Sequence, residues 1–146
     1  MNGPPPTKQV FLSELATLPL HSKVRFLGCV SRYDISTGRL ILEHKYPTTS
    51  KTTTTSTTTV PVDINLLLET VKAEDLQVGA WLNVLGYVRE NSSKDDDSRN
   101  HDRASNSAIY VEAVMIVPAG PVNVGEYERI LRDAQEVDRR VRRPPS

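Results

Sequence analysis

Three histidines, one cysteine and a few carboxylate groupings are the side chains of this sequence whose type could do chemistry. His21, His44 and His101 are scattered, and no two sit at the local spacing of a zinc-ligand pair. Cys29 follows Gly28 inside an alternating apolar run, where a small buried or half-buried thiol is expected rather than a nucleophile. Asp95-Asp96-Asp97 invites a metal reading, yet adjacent carboxylates in a polar loop do not converge like ligands on a preformed frame. Glu43 and Glu112 could face one another, an ordinary arrangement on strand surfaces. No Gly-rich phosphate loop, no G-x-S-x-G elbow and no local Cys–His signature is present. The expectation is a non-enzymatic protein with no cofactor and no metal.

The remaining chemistry is cation and aromatic. Single-stranded nucleic acid is held by a positive groove with aromatic platforms for stacking. Arg25, Tyr33, Arg39, Lys45, Tyr87 and Arg89 are the candidates, with Arg25 and Tyr33 expected on one outer face of their strand, while Tyr46 and Trp81 lie at strand ends where either could cap a core. Aromatics make up only 5% of the chain, and 18 basic residues are balanced by 18 acidic ones. That balance excludes a globally basic nucleic-acid arm and a polybasic membrane patch. The candidates therefore read either as a weak DNA-binding face or as a solvated sheet surface.

These side chains need a frame. The length, 146 residues, suits one domain, and 38% hydrophobic content is low. A single cysteine excludes a disulfide framework. No apolar run approaches the roughly 20 residues that span a bilayer. Met1 to Pro6 lacks signal-peptide features, so a soluble intracellular protein is expected. Two polar stretches dilute the average: a Thr-rich loop over 48–59, whose end can join a strand, and a mixed-charge loop over 91–107. Around them the chain divides into a disordered lead over 1–10, a barrel over 11–121 and a terminal helix over 122–143.

Period-two alternation marks strands over Lys23–Tyr33, Arg39–Lys45, Val60–Val62, Ala80–Glu90 and Ala108–Val117. A short helical turn is expected over Phe11–Leu18, and a helix over Ile64–Thr70 between the third and fourth strands. Val24-Arg25-Phe26-Leu27-Gly28-Cys29-Val30 and Leu82-Asn83-Val84-Leu85-Gly86-Tyr87-Val88 share one pattern with a mid-strand glycine. Such a glycine marks a bend or a close backbone approach, which small closed barrels need at their corners. The fold class is all-β: a five-stranded OB-fold Greek-key barrel with a long C-terminal helix.

That helix, Glu126 to Arg143, repeats apolar residues at Ile130, Ala134, Val137 and Val141, with Tyr127 and Leu131 widening the stripe. Asn123 is placed to cap it. About 18 residues give roughly 27 Å, more than a plug for this barrel requires. The stripe either packs wholly on its own barrel or offers its distal part, from Ala134 onward, to a partner helix.

Leu18-Pro19-Leu20-His21-Ser22-Lys23-Val24-Arg25-Phe26-Leu27-Gly28, then Tyr33-Asp34, then Val78 to Tyr87 and the terminal Tyr127 to Glu136 resemble the Ten-one family of the CST (Ctc–Stn–Ten) telomere-capping complex. The resemblance implies one OB-fold paired with a Stn-one-type OB-fold subunit, alongside a larger Ctc-type subunit. It implies helix-to-helix packing through Tyr127, Ile130, Leu131, Ala134, Val137 and Val141. It also implies a nuclear role at telomere ends, where most contact with the single-stranded overhang lies on the larger subunits. The alternatives are a replication protein A small-subunit-like protein and an OB-fold adaptor with no nucleic-acid role.

Overall fold

Strands that alternate apolar and polar residues build most of the molecule, and the structure, a computed structural model, describes residues 6–45, 57–91 and 108–142. Most of the Thr-rich stretch and the whole polar loop beyond Asn91, with Tyr46, Asp95 to Asp97 and His101, lie outside the described residues. The elements are β1 (Lys8–Gln9), a 3-10 turn (Leu12–Thr17), β2 (Lys23–Asp34), β3 (Arg39–Lys45), β4 (Thr57–Asp63), β5 (Trp81–Glu90), β6 (Ile109–Pro118) and α1 (Val124–Arg142).

Strands β2 to β6 form a barrel in the order β2-β3-β4-β6-β5, and the antiparallel β2–β5 pairing closes it. The β4–β6 contact is parallel and short, Val62 opposite Val111 and Asp63 opposite Glu112. This is the OB-fold architecture expected from the strand order. The inward rows, among them Val24, Phe26, Leu40, Leu42, Val62, Leu82, Val84, Val88 and Val111, are buried in one core. Leu12 and Leu15, on the 3-10 turn, join that core. The backbone N–H of Phe11 donates to Glu14 Oε1 at 2.8 Å, tying off the start of the turn.

The two mid-strand glycines stand where another chain segment leaves no room. A Cβ on Gly28 would lie 2.9 Å from Leu42 Cβ, and one on Gly86 would lie 2.4 Å from the Glu112 carbonyl oxygen. The β5–β6 ladder shifts register between Leu85 and Gly86, so the glycine sits beside the bulge that bends the sheet.

Three expectations change. Lys8–Gln9 forms a strand parallel to β2, with Val10 buried, so the ordered chain begins before residue 11. The helix expected over Ile64–Thr70 is instead one 3-10 turn, Asn65–Leu67, and a second follows at Ala73–Leu76. Consecutive leucines give no single face to bury, and Leu66 and Leu68 remain exposed. Asn65 is held instead by Asp63 and by the Thr37 carbonyl, which its amide reaches at 3.0 Å. Third, the β2–β3 ladder is bulged between Val30 and Arg32, which reverses the facing of every residue beyond it. Tyr33 therefore packs against the core beside Leu40, whereas Arg25 points outward. They do not share a face.

The β2–β3 turn carries its own lock. Ser36 donates to Asp34 Oδ1 through its hydroxyl at 2.7 Å and its backbone N–H at 3.1 Å. The hydroxyl bond chiefly holds the Asp34 carboxyl below its ordinary range. Gly38 closes the turn at φ 72°, in the left-handed region that glycine enters without strain.

Candidate partner-binding and nucleic-acid interface

Helix α1 begins as its sequence dictates: Asn123 Oδ1 accepts the Glu126 backbone N–H at 3.0 Å. Its 19 residues then divide into two rows. Tyr127, Glu128, Leu131 and Gln135 form the row against the barrel. Leu131 is 3% exposed, a burial worth about 2 kcal/mol. Tyr127 stands edge-on to Phe11 with ring centroids 6.3 Å apart, and burial pushes its phenol pKa up. Gln135 Nε2 donates to Glu14 Oε1 at 2.9 Å.

The centre of this contact is polar. Glu128 Oε2 lies 3.0 Å from His44 Nε2, and both side chains are buried. The His44 ring is packed edge-on by Trp81 at 5.6 Å and flanked by Phe11 and Tyr127. Trp81 thus contributes to the helix seat. No local pattern pairs residues 84 apart in sequence, so this contact had no signal in the chain.

The second row faces away. Ile130, Val137 and Val141 are 58%, 60% and 75% exposed, and Ala134 between them is exposed as well. Ile130 and Ala134 each lie one residue from Leu131 and Gln135 of the inner row, about 100° around the helix, and Val137 and Val141 continue the outer row toward the C-terminal end. The six residues expected to form one stripe are therefore split. Tyr127 and Leu131 hold the helix to its own barrel, while Ile130, Ala134, Val137 and Val141 keep a free apolar edge with heptad spacing. Glu136 pairs with Arg139 at 2.8 Å and Arg140 at 3.1 Å on the exposed side, contacts that add little stability.

The cation and aromatic candidates also separate. The Arg39 guanidinium lies 4.3 Å from the centroid of the Tyr110 ring and donates to Asn91 Oδ1 at 3.3 Å. On β5, Arg89 lies 5.3 Å from the Tyr87 ring and pairs with Glu112 at 3.1 Å. Tyr110 and Arg89 are cross-strand neighbours, so Arg39, Tyr110, Arg89 and Tyr87 make one outward patch. Arg89 also donates to Nδ1 of His21, whose backbone adopts a left-handed φ of 74°. Tyr110, absent from the sequence-based set, belongs to it because β6 runs beside β5. Lys45 sits at the far end of β3, six residues from Arg39, or about 20 Å along the strand. Arg25 lies opposite Leu85, and Tyr33 is turned inward.

Cys29 is half-buried, and burial, then the carboxylate of its cross-strand neighbour Glu43, pushes its thiol pKa up. Among the described residues no group of three or more His, Cys, Asp or Glu could hold a metal ion.

The closed barrel and its appended helix define an OB-fold protein. Residues 1–132 match the model of the Ten1 family, telomere capping, CST complex subunit, and the chain belongs to that family. The sequence resemblance to that family and the expected OB-fold are both borne out. A chain of the S. pombe Stn1–Ten1 complex superposes with a TM-score of 0.62 at 23% identity, covering 92% of this chain and 96% of that one. Telomere capping protein Ten1 from Saccharomyces pombe gives 0.60 at 23% identity, over 90% and 99%. A chain of yeast RPA bound to ssDNA gives 0.56 at 12% identity, over 90% and 93%. These likenesses carry the fold; the family model carries the family. No curated protein sequence matches the chain.

Proposed function

We propose that this chain is a non-catalytic subunit of a telomeric single-stranded-DNA-binding complex, pairing through α1 with the C-terminal helix of a Stn1-type OB-fold partner. The observation that carries this reading is the divided helix. Leu131 and Glu128 anchor α1 on the barrel, and Ile130, Ala134, Val137 and Val141 stay uncovered at the spacing a second helix needs. A larger Ctc-type subunit completes the assembly, which acts in the nucleus at telomere ends. DNA contact by this chain is weak and runs through the patch of Arg39, Tyr110, Arg89 and Tyr87, because two of its four members are cations already stacked on the other two. Arg25, Tyr33 and Lys45 lie off this patch and contribute less.

Coexpression with the Stn1-type partner tests the helix. Ile130→Glu combined with Val137→Glu should abolish copurification while leaving the thermal unfolding midpoint near its original value, since both positions are exposed. Undiminished copurification removes the partner role of the stripe. If the partner is retained but the pair leaves single-stranded DNA unaffected, the chain is an adaptor.

A further inference from the structure

In the short segment before β2, one residue holds a backbone conformation that favours glycine. His21 has φ 74°, and among the described residues it is the one non-glycine in the left-handed region, where Gly38, Gly79 and Gly120 also lie. A side chain there strains the backbone, and such strain persists where the surrounding structure enforces it. Here β5 enforces it. The His21 N–H donates to the Val88 carbonyl at 2.7 Å, and the Val88 N–H donates to the Ser22 carbonyl at 3.0 Å. This clamp sits one residue before Arg89 and delivers the imidazole to it: Arg89 Nη1 donates to His21 Nδ1 at 2.6 Å.

We propose that His21 is a positioning residue for single-stranded DNA: it holds the Arg89 guanidinium over Tyr87 as a platform on which an unpaired base stacks. The inference rests on the nucleic-acid reading of the patch above and names the group that this half of it takes. Three contacts fix the guanidinium. Nη1 is held by His21, Nε donates to Glu112 Oε1 at 3.1 Å, and Cζ lies 5.3 Å from the centroid of the Tyr87 ring. Hydrogen bonds from two different nitrogens set the orientation of the plane, because guanidinium donors lie in a rigid planar fork. The side chain still keeps 32% of its surface exposed. An arginine braced in this way has lost its rotamer freedom before the ligand arrives, so a base landing on it does not have to immobilise it.

Charge decides which part of the nucleotide lands here. The Glu112 carboxylate offsets the Arg89 charge and repels a phosphate, whereas a guanidinium face stacks on a base without needing net charge. Arg39, whose hydrogen-bond partner is the neutral Asn91, is the phosphate contact of the same patch. Tyr110 stands opposite Arg89 across the β5–β6 ladder, so a second stacking surface adjoins the first.

The test uses the complex of this chain with the Stn1-type partner and two fluorescent oligonucleotides of equal length, an oligothymidylate and an abasic strand with the same phosphates. His21→Gly relieves the backbone strain and removes the acceptor, while His21→Asn tolerates the left-handed region and puts Oδ1 where Nδ1 stood. His21→Gly should weaken oligothymidylate binding about fivefold, the lower end of the loss of one stacked base. Abasic affinity, salt slope and unfolding midpoint should not fall. His21→Asn should restore most of the lost affinity, since its Oδ1 accepts the same N–H. Wild-type oligothymidylate affinity in His21→Gly, with Arg39→Ala still weakening it, overturns the role of His21 and leaves the patch standing. Indifference to Arg39→Ala, Tyr110→Leu and His21→Gly together overturns the patch, and this proposal with it. An equal loss on both strands with a lower salt slope makes Arg89 a phosphate contact. A loss that His21→Asn does not repair means that the imidazole is not acting as an acceptor. Either of these results also overturns the proposal.

Discussion

Glu128 Oε2 of the helix and His44 Nε2 of the barrel meet at 3.0 Å with both side chains out of solvent. A buried polar contact of this kind fixes orientation, because either group left without the other is costly. Here it fixes which row of α1 faces inward, and so which row is left for a partner.

The pair should behave as a unit. Glu128→Ala is expected to cost about 3 kcal/mol in denaturant unfolding, and His44→Ala a similar amount. The double variant should cost clearly less than the sum, since the second deletion removes a group that has already lost this contact. Additivity to within about 0.5 kcal/mol would mean that the contact holds no coupling.

Gly86 should tolerate substitution worse than Gly28. A methyl at Gly86 meets the Glu112 carbonyl at 2.4 Å and the Ala113 backbone at 3.0 Å, whereas at Gly28 the neighbours are side-chain atoms of Leu42 and Leu12. The Leu12 and Leu42 methyl groups at 3.2 Å can rotate aside and only Leu42 Cβ, at 2.9 Å, must move with its backbone, whereas at Gly86 the closest obstacle is a carbonyl oxygen of the paired strand. Gly86→Ala should cost about 3 kcal/mol and Gly28→Ala about 1–2 kcal/mol. Equal losses in equilibrium unfolding would show that the β6 backbone yields as readily as a leucine.

The same glycines show how far the chain could be read in advance. Period-two alternation and a repeated Leu-Gly were enough to find the barrel strands and their corners, because a close approach leaves only glycine. The family motifs around Leu18 to Gly28 and Val78 to Tyr87 were equally legible. The two-residue β1 carries no periodicity to read. The bulge at Val30 was invisible too, and it moved Tyr33 from the outer face to the core side. On α1 Leu131 and Ile130 are adjacent aliphatic residues, so only the docking of the helix on the barrel distinguishes the buried one from the exposed one. Tyr110 joined the cation–aromatic patch through strand order alone.

Alkaline pH should loosen the helix seat through Tyr127. Burial raises its pKa in the folded protein above the ordinary value of about 10. The unfolded chain therefore loses the phenol proton first. The stabilising contribution is complete below pH about 10 and is lost as pH climbs through the raised folded value. Unfolding free energies measured between pH 9 and about 11 should fall less steeply in Tyr127→Phe than in the wild type. Parallel slopes would show that other groups carry the alkaline loss.

Within the assembled complex, Arg39 and Arg89 should differ in their effect on single-stranded DNA. Arg39 stacks on Tyr110 with a neutral asparagine as its hydrogen-bond partner, so its charge is available to phosphate. Arg89 is partly neutralised by Glu112. Arg39→Ala should weaken binding and lower the salt slope by about 0.7 for one lost phosphate contact. Arg89→Ala should change the slope less, and Arg25→Ala, on the other half of the sheet, should not change it. Tyr110→Leu should weaken binding without altering the slope, since it removes a stacking surface and no charge. Titrations of a fluorescent oligonucleotide at several salt concentrations separate these effects. A complex indifferent to both Arg39→Ala and Tyr110→Leu would leave this patch a solvated sheet face and place all DNA contact on the other subunits.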